Sequence, residues 1–193
     1  MRAEAIVDLS AIKFNVELLK KTSGTKLLAV VKADAYGHGL VPVAQAAVSA
    51  GADYLGVALL EEAVALREAG ITAPILAWLV QPGSDFSQAI SLDIDIAAAS
   101  LKALSEIAAA SRQLQKKARV HLEVDTGMTR GGFLAEWDQL DSEHVKGVEI
   151  VGIFSLFARA YEPGEKQNQD QMARFAEMVA KLEALGFSHL IKH

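Results

Sequence analysis

The sequence predicts an α/β protein built on a parallel sheet, and three observations carry that prediction. Short apolar runs recur along the chain, each followed by a longer segment with helical periodicity. Most of these runs are nearly continuous in apolar residues, as strands covered on both faces require. The chain has 193 residues, 51% of them hydrophobic and 22% charged, enough to bury a substantial core in a single domain spanning residues 1–193.

The elements follow in order. Asp8 or Ser10 is placed to cap a first helix, with Ile12, Val16 and Leu19 on its buried side. Seven strand-like runs come next, at residues 26–33 (KLLAVVKA), 54–59 (YLGVAL), 74–79 (PILAWL), 94–98 (IDIAA), 119–125 (RVHLEVD), 148–155 (VEIVGIFS) and 189–193 (HLIKH). Ser100 caps a helix whose buried face is Leu101, Leu104, Ile107, Ala108 and Leu114, with Lys116 and Lys117 near its far end. The last helix carries Met172, Phe175, Met178, Val179, Leu182 and Leu185 on one stripe, closed by Gly186. Residues 160–170 (AYEPGEKQNQD) form the most polar stretch and read as a long loop. Strands and helices alternating in this way make either an open doubly wound sheet or most of an eight-stranded barrel, and local pattern does not separate the two. Gly37 and Gly39 after the first run lack the third glycine of a dinucleotide-binding fingerprint.

Composition narrows the partners. The 19 Lys and Arg are dispersed among 24 Asp and Glu, net charge −5, which leaves no basic face for nucleic acid. Cysteine is absent, so disulfides, thiolate metal sites and a cysteine nucleophile are excluded. The five histidines show no metal-ligand spacing, and no metal is expected; His121, inside an apolar run, reads as a satisfied structural histidine. Trp78 and Phe86 read as core or pocket wall. No run approaches the roughly 18–20 apolar residues of a membrane span, and MRAEAIVDLS is not a secretory leader. The expectation is a cytoplasmic protein with a small-molecule partner.

Lys32 carries the chemistry. A lysine near the end of an apolar strand must either snorkel out or pair with an acid such as Asp34, or else serve as an amine with a depressed pKa that attacks a carbonyl. The residues around it bear on that choice. AVVKADAYGHG, around Lys32, and VDTGM followed by Arg130 resemble two motifs of the bacterial alanine racemases, in the same order, and the likeness runs from DLSAIKFN to the final helix.

The resemblance implies a TIM-like β/α barrel, incomplete at about seven of eight strands and without the family's C-terminal β domain. It implies pyridoxal 5'-phosphate as cofactor, held by Lys32 as an internal aldimine. Lys32 would also be the base on one face of the substrate α-carbon, Tyr36 would donate to the cofactor phosphate, and Arg130 would bond the phenolic oxygen. The implied reaction is interconversion of L-alanine and D-alanine for peptidoglycan supply, by a homodimer whose second base is a tyrosine from the C-terminal domain of the other subunit. Glu123 stands where the family usually has a lysine, sometimes carbamylated, and is expected to present its own carboxylate to Arg130. In SLFARAYEP, Leu156 replaces a histidine that stacks on the cofactor ring, and Arg159 and Tyr161 replace small and acidic residues. Two other functions compete with the racemase: a truncated, non-catalytic relative that binds cofactor or a partner without turnover, and a Schiff-base aldolase using Lys32 without cofactor.

Overall fold

A computed structural model describes residues 3–81 and 83–193, which fall into two compact units, one within residues 1–80 and 92–94, the other within 81–91 and 95–193.

In the first unit, α1 (Leu9–Ser23) begins at Asp8, whose carboxylate accepts the Ser10 and Ala11 N–H groups at 2.9 and 3.3 Å, and it ends where Gly24 turns left-handed. Three short strands, β1 (Leu28–Val30), β2 (Tyr54–Val57) and β3 (Ile75–Ala77), pair in parallel, Ala29 opposite Leu55 and Gly56 opposite Leu76. A left-handed turn, α2 (Lys32–Gly37), and helix α3 (Leu40–Ser49) connect β1 to β2, and α4 (Leu60–Glu68) connects β2 to β3. Leu55, Leu66, Ile75 and Leu76 are wholly buried among them. From α4, the Arg67 guanidinium gathers the carbonyls of Ile71, Ala73, Leu92 and Asp93, which satisfies acceptors that the tight chain reversals leave open.

The second unit holds α5 (Phe86–Ser91), β4 (Asp95–Ala98), α6 (Leu101–Leu114), β5 (Ala118–Glu123), a 3-10 turn (Trp137–Gln139), β6 (Val148–Phe154), α7 (Lys166–Ala184) and β7 (Ile191–Lys192). Its four strands pair in parallel in chain order. Ser100 caps α6 through the Ala103 N–H, as expected. Ile96, Leu104, Ile107, Val120, Leu122, Ile153 and Leu182 form the core. His121 is a satisfied buried histidine, its ring nitrogens 3.2 Å from the Asp95 carboxylate and 2.9 Å from the His193 ring. Glycine at 152 makes room for it, because a Cβ there would overlap the imidazole.

The structure corrects several expected boundaries. The first run stops being strand at Val30 rather than residue 33, because the backbone turns left-handed immediately after Lys32. The fifth ends at Glu123, two residues before Asp125, where the chain folds back on itself. The polar stretch 160–170 is not all loop: α7 begins at Lys166, and the Lys166–Asp170 ion pair at 2.5 Å spans its first turn. Leu19, Leu114 and Met172 are exposed rather than buried; Leu19 rims an apolar hollow that it shares with Ile12, Val16, Val43 and Ala47. Among the described residues no helix is long and apolar enough to cross a membrane.

Candidate cofactor site

Lys32 opens the connection that follows β1. Ala33, Asp34, Ala35 and Tyr36 all adopt left-handed helical angles, with φ between 51° and 57°. For L-residues this conformation costs about 1–2 kcal/mol each, so four in succession persist only because other contacts fix them. Three kinds of contact do so. Within the turn, the Ala35 N–H donates to the Val31 carbonyl at 2.9 Å and the Gly39 N–H to the Asp34 carbonyl at 2.9 Å. The Asp34 carboxylate accepts the Leu40 N–H at 2.6 Å and so serves the start of α3. From α4, the Glu62 carboxylate accepts the Ala33 N–H at 2.6 Å with one oxygen, and the Ala58 and Leu59 N–H groups at 2.9 and 3.0 Å with the other.

The consequence is the setting of the Lys32 amine. Nζ lies 6.0 Å from the centroid of the Tyr36 ring and 6.0 Å from that of Trp78. The Trp78 ring lies across β2 where Gly56 has no side chain, and any Cβ at 56 would strike both the indole and Leu28. Asp34 is occupied by the backbone of α3, and among the described residues no carboxylate pairs with Lys32. An amine between two aromatic faces, with no counter-ion, can meet a carbonyl ligand. Tyr36 is 62% exposed, so its hydroxyl is open to such a ligand. Lys32 and Tyr36, both singled out in the sequence, are thus brought together by the left-handed turn. Trp78 is half-buried beside the Lys32 amine, while Phe86 is core.

The second unit carries Glu123 and Arg130. Residues 124–133 leave the end of β5 and return to it: the Phe133 N–H donates to the Glu123 carbonyl at 2.8 Å, and the Asp125 N–H to the Phe133 carbonyl at 2.9 Å. Only glycine fits at 132, where φ is 105° and a Cβ would press on the backbone of residues 124 and 125. Inside the loop, one Asp125 carboxylate oxygen accepts the Gly127 and Thr129 N–H groups at 2.9 and 3.0 Å. Arg130, Glu123, Met128, Ser155 and Leu156 line one small cleft. Burial pushes the Glu123 carboxyl above its ordinary range, and the positive charge of Arg130 opposes that shift. The expected pairing is therefore one of field rather than contact, since no hydrogen bond or ion pair links the two side chains among the described residues.

Two groups that sequence reasoning missed hold these loops. Glu62 is the first. The other is Gln171, buried on α7, which donates to the Thr126 hydroxyl at 3.0 Å and the Leu156 carbonyl at 2.9 Å and accepts the Ala158 N–H at 2.9 Å. It joins the loop after β5 to the loop after β6. Arg159 is taken up by Glu162 and Glu165 in that second loop, and Tyr161 is 81% exposed. No group of three or more His, Asp or Glu side chains able to hold a metal occurs among the described residues.

Fold and site together define a β/α protein that presents an unpaired lysine amine from a strained turn after its first strand, in a setting suited to a carbonyl-bearing cofactor. Comparison with known proteins identifies the lineage. The family model for the alanine racemase N-terminal domain matches residues 7–193. The alanine racemase of Salinispora tropica is 43% identical over 100% of this chain and 53% of its own length, and that of Thermobifida fusca is 40% identical over 99% and 53%. The crystal structure of alanine racemase from D-cycloserine-producing Streptomyces lavendulae superposes with a TM-score of 0.93 at 41% identity, covering 97% of this chain and 51% of that one. The Bacillus anthracis enzyme with bound L-Ala-P gives 0.84 at 33% identity, covering 97% and 50%. The chain belongs to the alanine racemase family, whose members depend on pyridoxal phosphate, and it has the α/β fold of that family's TIM-type barrel domain. It spans about half the length of the curated relatives it matches.

Proposed function

We propose that residues 1–193 form the cofactor-holding domain of a cytoplasmic racemase acting on alanine, and that Lys32 is the residue that carries pyridoxal phosphate. The observation that supports this most directly is the left-handed turn, which sets an amine without a counter-ion between two aromatic rings. The donor set suits the group: an amine for the aldehyde, an exposed tyrosine hydroxyl for the phosphate, and a guanidinium for the phenolic oxygen. When bound, pyridoxal phosphate delocalises the electron pair left on the α-carbon and so lowers the cost of removing its proton.

The chain's own residues would do the rest. The Lys32 amine takes or returns the proton on one face of that carbon. Tyr36 donates its hydroxyl hydrogen to phosphate oxygen, and Trp78 covers the amine and excludes water from one side. Arg130 would donate to the phenolic oxygen, and Glu123 would hold the guanidinium in register through its charge. Leu156 offers apolar contact in place of the family's histidine and neither donates nor accepts. Proton exchange on the opposite face needs a second group, which the family pattern assigns to a C-terminal domain and to a homodimer. The identity of 40% or more to named alanine racemases supports this reading over a relative that only binds.

The test is direct. The protein is incubated with pyridoxal phosphate, reduced with borohydride and digested, and the peptide containing Lys32 is expected to carry the cofactor. Conversion of L-alanine to D-alanine by a separate sample loaded with pyridoxal phosphate, neither reduced nor digested, would then establish turnover. Cofactor fixed on other lysines and absent from Lys32 would end the proposal.

A further inference from the structure

We propose that Glu62 is a positioning residue for the lysine-bearing turn, a role that rests on the reading of Lys32 as the cofactor lysine. Glu62 sits in the first turn of α4, where a carboxylate ordinarily does one local job, accepting the N–H of its own cap. It does that job here, taking the Leu59 N–H at 3.0 Å. What sets it apart is the other oxygen, which accepts the N–H of Ala33 at 2.6 Å, 29 residues away in the chain. That N–H belongs to the peptide joining Lys32 to Ala33, so the contact fixes the plane from which the Lys32 side chain departs.

Its location explains why the contact matters. Ala33 is the first of four successive residues in the left-handed region, and it is where the chain must leave its extended path. The hydrogen bonds inside the turn begin later, at the Ala35 N–H. Asp34 secures the far end through Leu40, and Glu62 secures the near end. Because the Ala58 and Leu59 N–H groups hold the second oxygen at 2.9 and 3.0 Å, the carboxylate is itself held on two sides. The loop after β2 thereby becomes a template for the loop after β1. Without it, the Ala33 N–H loses the carboxylate that holds it, and the turn can relax toward right-handed angles that carry Nζ away from Trp78 and Tyr36.

Two substitutions separate this role from a simple helix cap. In Glu62→Gln, one oxygen is replaced by an N–H2 group that cannot accept, so either the Ala33 or the Ala58 and Leu59 donors lose their partner. Glu62→Asp keeps the charge and the preference for a helix start but is one methylene too short to serve both loops. The full chain of each variant is compared with the unsubstituted protein by amide hydrogen exchange of the peptide covering residues 32–40, and by titration with pyridoxal phosphate, with the dissociation constant expressed per folded molecule. Exchange is expected to rise at least tenfold at Ala33 in both variants, and the dissociation constant for cofactor fixed on Lys32 to rise at least tenfold. A variant with a lowered melting temperature but unchanged exchange at Ala33 and unchanged cofactor affinity would show a cap only, and would overturn the proposal. Faster exchange with unchanged affinity would overturn it as well. If the unsubstituted protein fixes no cofactor on Lys32, it is the reading of Lys32 that fails, and the exchange data alone then decide whether Glu62 anchors the turn. If Glu62→Gln does not fold, Glu62→Asp supplies the same comparison.

Discussion

Glu123 shows most clearly how a single side chain can be placed at some cost. Burial raises its pKa, with Arg130 opposing and Asp125 adding to the rise. A carboxyl whose folded-state pKa lies above its unfolded value binds more protons when folded, so its contribution to stability falls as pH rises above the unfolded value near 4.5. Glu123→Gln is therefore expected to melt at a higher temperature than the unsubstituted protein at pH 7, with the difference closing as pH falls toward about 4.5. Thermal scans from pH 4 to pH 8 check the sign, and a variant less stable at pH 7 would contradict it. If Glu123 also steadies Arg130, the same substitution weakens cofactor binding while it stabilises the fold, a trade common at functional positions. Gln171 presents the opposite case. Its amide meets all its partners, so Gln171→Leu leaves the Leu156 carbonyl and the Ala158 N–H without them, at about 1–3 kcal/mol per group and thus about 2–6 kcal/mol in all, toward the low end because both groups are only part-buried. Urea denaturation measures this, and the loss should be close to the same with or without cofactor if Gln171 acts only on the loops.

At the scale of elements, the seven strands and the principal helices were legible because their signals are local. Asp8 and Ser100 cap helices where the sequence places them, and the apolar runs become strands that pair in parallel. The turn at Lys32 was not legible. KADAYG has no glycine until its sixth position, and nothing in local preference puts Ala33 through Tyr36 in left-handed angles; the decision is made by Glu62 and Asp34, whose partners lie on other elements. Lys32, Tyr36 and Arg130 were recognisable as motif members, whereas Glu62 and Gln171 were not, because one has the signature of an ordinary cap and the other that of a polar helix residue. Trp78 turns this geometry into a signal. Its ring faces the Lys32 amine, so a cofactor fixed there absorbs within reach of the indole. In Trp137→Phe, which leaves Trp78 as the sole tryptophan, emission is expected to fall by more than half on saturation with pyridoxal phosphate. Unchanged emission at full occupancy would place the cofactor elsewhere.

For the molecule as a whole, a ligand that binds only the folded state raises stability by RT ln(1 + [L]/Kd), about 2.7 kcal/mol at one hundred times Kd. A chain of this size gains roughly 2–4 °C in melting temperature per kcal/mol, so saturating pyridoxal phosphate should raise the midpoint by roughly 5–11 °C. The size of that shift matters less than its dependence on one amine. Phosphate recognition alone, or casual labelling of exposed lysines, would stabilise Lys32→Ala as much as the unsubstituted protein. A covalent link through Lys32 would stabilise only the latter. Lys32→Ala is not expected to disturb the fold, because Nζ has no carboxylate partner to strand and the side chain is only half-buried. Scanning calorimetry of both proteins, with pyridoxal phosphate and with inorganic phosphate at equal concentration, separates the cases. The expected result is a shift of several degrees for the unsubstituted chain with pyridoxal phosphate, and at most 1–2 °C in the other three combinations. Equal shifts in both proteins would show that the stabilising interaction does not run through the Lys32 amine and remove Lys32 from the centre of the site.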